Sequence, residues 1–115
     1  CALFNETCER FRDLVATDAI LNKAQAAKIA QMAHDGMGRA IRPAHTMFDG
    51  DTIFCMATGK KKLTQTTGFF NAARAQAISD IGHAAANCLS RAIITAILEA
   101  KSMAGRTAFC DLKDR

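Results

Sequence analysis

The sequence predicts an α/β unit of order β-α-β-α, with two short strands and two long helices. Two observations carry that assignment: β-prone apolar runs at 14–19 and 52–58, and apolar stripes at helical spacing along 22–41 and 71–103. Composition adds a third. Half of the 115 residues are hydrophobic, 23% are charged, Trp and Tyr are absent and proline occurs once. This is a globular balance of one-domain size, in which helices pack through small side chains and an aromatic ligand cage has no material.

Leu14-Val15-Ala16-Thr17-Asp18-Ala19 is an apolar run that ends at a polar turn, a first buried strand. Asn22 then caps a helix, and Gln25, three residues on, completes a capping box. Ala26, Ile29, Ala30, Ala33 and Met37 follow as one apolar stripe. Gly36 and Gly38 weaken this helix and Pro43 forbids its continuation past Arg42, so it ends near Ile41.

Pro43 to Gly50 is a loop. Thr52 to Thr58 is nearly continuous apolar and β-prone, which reads as a strand buried on both faces. Gly59 and Lys60-Lys61-Lys62 read as an exposed turn. From Asn71 to Met103 runs a long helix, with Ile78, Ile81, Ala85, Leu89, Ala92, Ala96 and Ile97 at helical spacing and Gly105 as its stop. Two strands alone leave edges unpaired and an apolar face open. Another polypeptide, or a segment upstream, is therefore expected to complete the sheet. The opening residue, Cys1 rather than Met, reads as a processed subunit, an excerpt or an incomplete product.

Several function classes are disfavoured. Net charge is only +4, and Lys60–Lys62 is the one dense basic run, so no nucleic-acid partner is expected. The longest strongly apolar uncharged stretch, Ala92 to Leu98, falls well short of the ~20 residues that span a bilayer, and no signal peptide opens the chain. No membrane partner is expected either. Five scattered cysteines without a C-x-x-C pair suit a reducing cytoplasm, and Cys55 and Cys88 read as small core residues.

The stretch Ala33 to Phe54 carries the chemistry. A helix exit, a rigid Pro turn and Asp49-Gly50-Asp51 lead directly into the second strand. Gly50 permits a tight turn, so both carboxylates can converge beside the end of a sheet. Such a pair can hold a nucleophile's amine or hydroxyl, or share a proton. A solvated Asp-Gly turn is the plain alternative. A metal set of His34, His45 and Asp49 or Asp51 fits no standard zinc spacing, so neither metal nor cofactor is expected. His34 is expected to satisfy local backbone groups, His45 to orient the loop, and His83 to sit partly buried or at the surface. Arg39 and Arg42 either pair with the two aspartates or a substrate carboxylate, or simply complement the helix dipole.

From Val15 to Ala108 the chain resembles the DmpA-type L-aminopeptidase/D-esterase family, which includes the nylon-oligomer hydrolases. The matching residues are Val15-Ala16-Thr17-Asp18-Ala19, Met32-Ala33-His34-Asp35-Gly36, Arg39-Ala40-Ile41-Arg42-Pro43, His45-Thr46, Asp49-Gly50-Asp51-Thr52-Ile53-Phe54, Ala57-Thr58-Gly59 and Arg91-Ala92-Ile93. The resemblance implies that residues 14–115 are the smaller subunit's half of an αββα sandwich. It also implies a precursor that cleaves itself, so that a new N-terminal Ser or Thr attacks an amide with its own α-amine as base. Asp49 and Asp51 match the family's acidic site residues. The implied partners are the larger subunit of the same precursor, a higher oligomer of that two-subunit unit, and a small amide or peptide substrate.

Residues 1–13 depart from the family. The family's spacing puts Arg10 where the nucleophile belongs, within Glu9-Arg10-Phe11-Arg12-Asp13-Leu14. A guanidinium stays protonated and cannot attack an amide. Three alternatives stand open. The start is foreign or frameshifted sequence joined to a genuine subunit; or the chain is a homologue that lost catalysis and kept assembly or binding; or Cys1, Thr7 or Cys8 serves as nucleophile from a rearranged start.

Overall fold

The computed structural model describes residues 12–63 and 72–112. Strand β1 (Arg12–Ala19) leads to helix α1 (Lys23–Ala40), strand β2 (Thr52–Lys61) and helix α2 (Ala72–Glu99), and a 3-10 turn follows at Cys110–Leu112. The expected β-α-β-α order is what the chain adopts. The two strands pair in parallel, from Arg12↔Thr52 through Leu14↔Phe54 and Ala16↔Met56 to Thr17↔Ala57.

Helix α1 starts as its sequence demands. The Asn22 side chain accepts the Gln25 amide, and the Gln25 side chain accepts the Asn22 amide, each at 2.9 Å. Its stripe is the centre of the core: Ile29, Ala33 and Met37 are wholly buried. They meet Ile53 of β2 and Ala85, Leu89 and Ile93 of α2, with Val15 and Cys55 packed alongside.

Four details differ from expectation. Strand β2 is buried on one face only. Ile53, Cys55 and Ala57 turn toward the helices, whereas Phe54 (58% exposed) and Met56 (49%) turn outward with Leu14 (61%) and Ala16. Both faces are apolar, but among the described residues helices lie on just one. Second, the expected turn at Gly59–Lys61 is strand. The register shifts between the Thr17↔Ala57 and Ala19↔Lys61 pairs, a stretch of β2 that includes Gly59 at φ +69°. Lys61 also meets Asp18 at 3.4 Å, an exposed pair worth little.

Third, α2 stops at Glu99, four residues before Met103. The chain folds back there: Ser102 Oγ accepts the Ala108 amide and donates to Asp111, and the Cys110 thiol caps the Leu98 carbonyl at 3.2 Å. Gly105, at φ +78°, serves the turn that follows rather than the helix end. Fourth, Ala92, Ala96 and Ile97 are exposed, and so is Cys88. Helix α2 has 28 residues against 18 in α1, so its last turns outrun their partner. By length and composition α2 is apolar enough to cross a membrane. Its middle is nonetheless buried, through Gly82, Ala85, Ala86, Leu89 and Ile93.

Candidate functional site

The two strands start side by side, and the last turns of α1 lie over that end of the sheet. Between them runs the loop 41–51. The Ile41 amide closes α1 by donating to the Met37 carbonyl at 2.8 Å. A cis Arg42–Pro43 peptide and His45 at φ 58° follow. Thr46 to Asp49 then forms a tight turn, in which the Asp49 amide donates to the Thr46 carbonyl at 3.1 Å.

The two expected site carboxylates have different surroundings. Asp49 bends back on its own loop, where its Oδ2 accepts the Thr46 amide at 2.7 Å. Asp51 lies close enough to the start of β1 to act on Asp13. Asp13 is the residue that sequence reasoning missed. It falls in the segment set apart as atypical, and an aspartate is a poor strand former. Its carboxyl is pushed above the usual carboxylate range, first by burial and then by the Asp51 charge, with His34 opposing. Its Oδ2 is enclosed and, among the described residues, accepts no hydrogen bond. The signal available in the sequence was the parallel register: a strand running back from Leu14 must place Asp13 opposite Ile53, beside the acidic loop.

His34 and His45 are in contact, their ring centroids 4.9 Å apart and tilted by 54°. The expected separate roles therefore merge into one packed pair. Among the described residues, no three His, Cys, Asp or Glu side chains converge on a point that could hold a metal ion. Arg39 does not turn to the aspartates. It donates to Asn87 Oδ1 at 2.6 Å across to α2, and the Asn87 amide group contacts His83 Nε2 at 3.0 Å. Arg42 and His83 are exposed. The other nucleophile candidates Cys1, Thr7 and Cys8, and Arg10 with them, lie outside the described residues.

The arrangement gathers acid and imidazole groups at the strand starts. A surface cavity of about 380 Å³ lies elsewhere, between the N-terminal half of α1 and α2, lined by Lys28, Met32 and Ile78 among others.

Residues 13–109 match the family model described as peptidase family S58. An uncharacterised aminopeptidase of Mycobacterium leprae is 44% identical over 101 residues, covering 86% of this chain and 28% of the relative. An uncharacterised aminopeptidase of Mycobacterium tuberculosis is 40% identical over 111 residues, 95% of this chain and 32% of the relative. A 6-aminohexanoate-oligomer endohydrolase of Paenarthrobacter ureafaciens is 33% identical over 54 residues, 47% of this chain and 15% of the relative. The chain thus spans about a third or less of the length of these relatives.

Proposed function

The chain belongs to peptidase family S58, and from that premise we propose that it is the C-terminal portion of a self-processing hydrolase of N-terminal amino-acid amides or related small amides. The observation that carries this reading is the acidic loop. Asp49-Gly50-Asp51 leads into β2 at the end of the sheet where β1 begins, next to where the family resemblance expects the nucleophile.

In this reading an N-terminal hydroxyl attacks the amide carbonyl. Its α-amine takes the proton and later returns it to the leaving amine. Asp49 and Asp51 hold that amine in place by charge, within a site completed by the larger subunit. The open apolar face of Leu14, Phe54 and Met56 is the surface that subunit covers, and the two-subunit unit assembles further. Five cysteines without a paired motif suit a reducing cytoplasm. Neither a membrane nor nucleic acid enters this reading.

With Arg10 where the nucleophile belongs, the chain does not turn over substrate by itself. A second reading rests on the same residue and on the Asp49 carboxylate already bonded to the Thr46 amide: a catalytically dead homologue that assembles through the same surfaces. The experiment is co-expression with the upstream portion of the M. leprae relative, followed by assay on amino-acid amides. A variant starting at Thr in place of Arg10 hydrolyses them, and the unaltered chain does not. A variant that assembles yet stays inert favours the dead homologue. Activity in the unaltered chain that disappears on Cys1→Ala moves the nucleophile to Cys1.

A further inference from the structure

The feature left unused above is the environment of Asp13. Along β1, Asp13, Val15 and Thr17 share the face turned toward the helices, and Asp13 pairs with the buried Ile53. Asp51 stands two residues before Ile53, so it approaches the same face from the loop. His34 reaches Asp13 electrostatically from α1, and its ring is packed on His45 of the same loop. Four titratable groups from three separate pieces of chain thus meet where the loop joins the sheet.

We propose that Asp13, Asp51, His34 and His45 form a proton-operated latch that fastens the 45–51 loop onto the start of β1. In the closed arrangement Asp13 carries a proton and faces Asp51 as a neutral acid. When that proton passes to solvent, two carboxylates confront each other, and the enclosed Asp13 oxygen is an anion without a hydrogen bond. Among the described residues, His34 opposes the rise in the Asp13 pKa. The loop yields first, because β1 is held by its ladder to β2 whereas residues 45–51 belong to no strand or helix and fold back on themselves through the Thr46–Asp49 turn.

The direction follows from linkage. Burial and Asp51 raise the Asp13 pKa in the closed form, so the closed form binds the proton more tightly than the open one. Closure is therefore complete below the ordinary carboxylate pKa and weakens as pH rises through the raised value. The latch does not depend on the hydrolase reading, since it needs no substrate and no partner.

The test is amide hydrogen exchange on the full chain, converted to protection factors, from about pH 4.5 to about pH 7.5. In the unaltered chain, protection of residues 46–51 falls as pH rises, by up to about tenfold per pH unit across the titration. Protection around Leu89 stays level. In Asp13→Asn the loop's protection is level too, and in Asp51→Asn its fall is smaller and ends at lower pH, because Asp13 then ionises against burial alone, without the neighbouring charge that also raises its pKa. A carboxyl carbon titration of Asp13 in the unaltered chain serves if Asp13→Asn does not fold, and must track the loop. Level protection in the unaltered chain, the same slope in Asp13→Asn, or an Asp13 carboxyl that titrates in the ordinary range overturns the latch.

Discussion

Gly36 of α1 lies directly against the backbone of Ala86 in α2: a Cβ at Gly36 would overlap the Ala86 carbonyl oxygen and stand 2.8 Å from its carbon. The two helices approach this closely because neither carries bulk at the crossing. Gly36→Ala cannot be absorbed by a rotamer change, since the obstacle is main chain. We expect it to destabilise the fold by about 1–3 kcal/mol or more, read from urea unfolding. Gly82→Ala meets the side chain of Met32 instead, a flexible thioether that can swing aside, and is expected to cost clearly less. Equal losses would contradict this difference.

Asn22 is the second sensitive point. Its side chain and that of Gln25 satisfy two backbone donors at the start of α1, the helix whose inner face is the core. Asn22→Ala should lower stability by about 1 kcal/mol, and Asn22→Asp should retain most of the cap. Unfolding midpoints of the two variants check this.

Asp49 has a structural duty that any test of its chemistry must separate out. Its carboxylate accepts the Thr46 amide, so Asp49→Ala unties the turn while Asp49→Asn keeps an oxygen acceptor. Exchange of the Thr46 amide should accelerate about tenfold in Asp49→Ala, for a lost bond to a charged group of about 1.5 kcal/mol, and much less in Asp49→Asn. A matched acceleration in both variants would mean that charge, not the hydrogen bond, holds the turn.

The cysteines give a prediction at ordinary pH. Burial pushes the Cys55 thiol above its usual pKa, so less of it is thiolate at any given pH, whereas Cys88 and Cys110 are exposed. Alkylation of the native chain near pH 8, followed by peptide mapping, should label Cys88 and Cys110 well before Cys55. Unfolding should erase the difference at Cys55.

Where a residue's role depends on its near neighbours, the sequence disclosed it. Asn22 and Gln25 announce the cap, and Ile29, Ala33 and Met37 announce the buried stripe, because a helix turns such spacing directly into a face. What escaped depends on distant partners. Gly59 and Lys60-Lys61 read as a turn until Ala19 pairs across to Lys61, and the Cys110 thiol that caps Leu98 lies beyond any helical period. The site shows the same division. The Asp49-Gly50-Asp51 loop stands out by composition, but Asp13 joins it only through the parallel register, and Arg39 turns to Asn87 because α2 crosses there. Strand β2 is the most informative difference. Its residues are apolar on both faces, as a doubly covered strand requires, yet the described residues cover one, leaving Phe54 and Met56 exposed beside Leu14.

The most direct test of the partnered-subunit reading is native mass spectrometry of this chain mixed, after co-refolding, with the upstream portion of the M. leprae relative. The reading predicts a stable complex of the two polypeptides, and Phe54→Asp, on the open sheet face, should abolish it while leaving α1 and α2 folded. A chain that stays a folded monomer beside the upstream portion, with its outward face already protected from solvent, would contradict it.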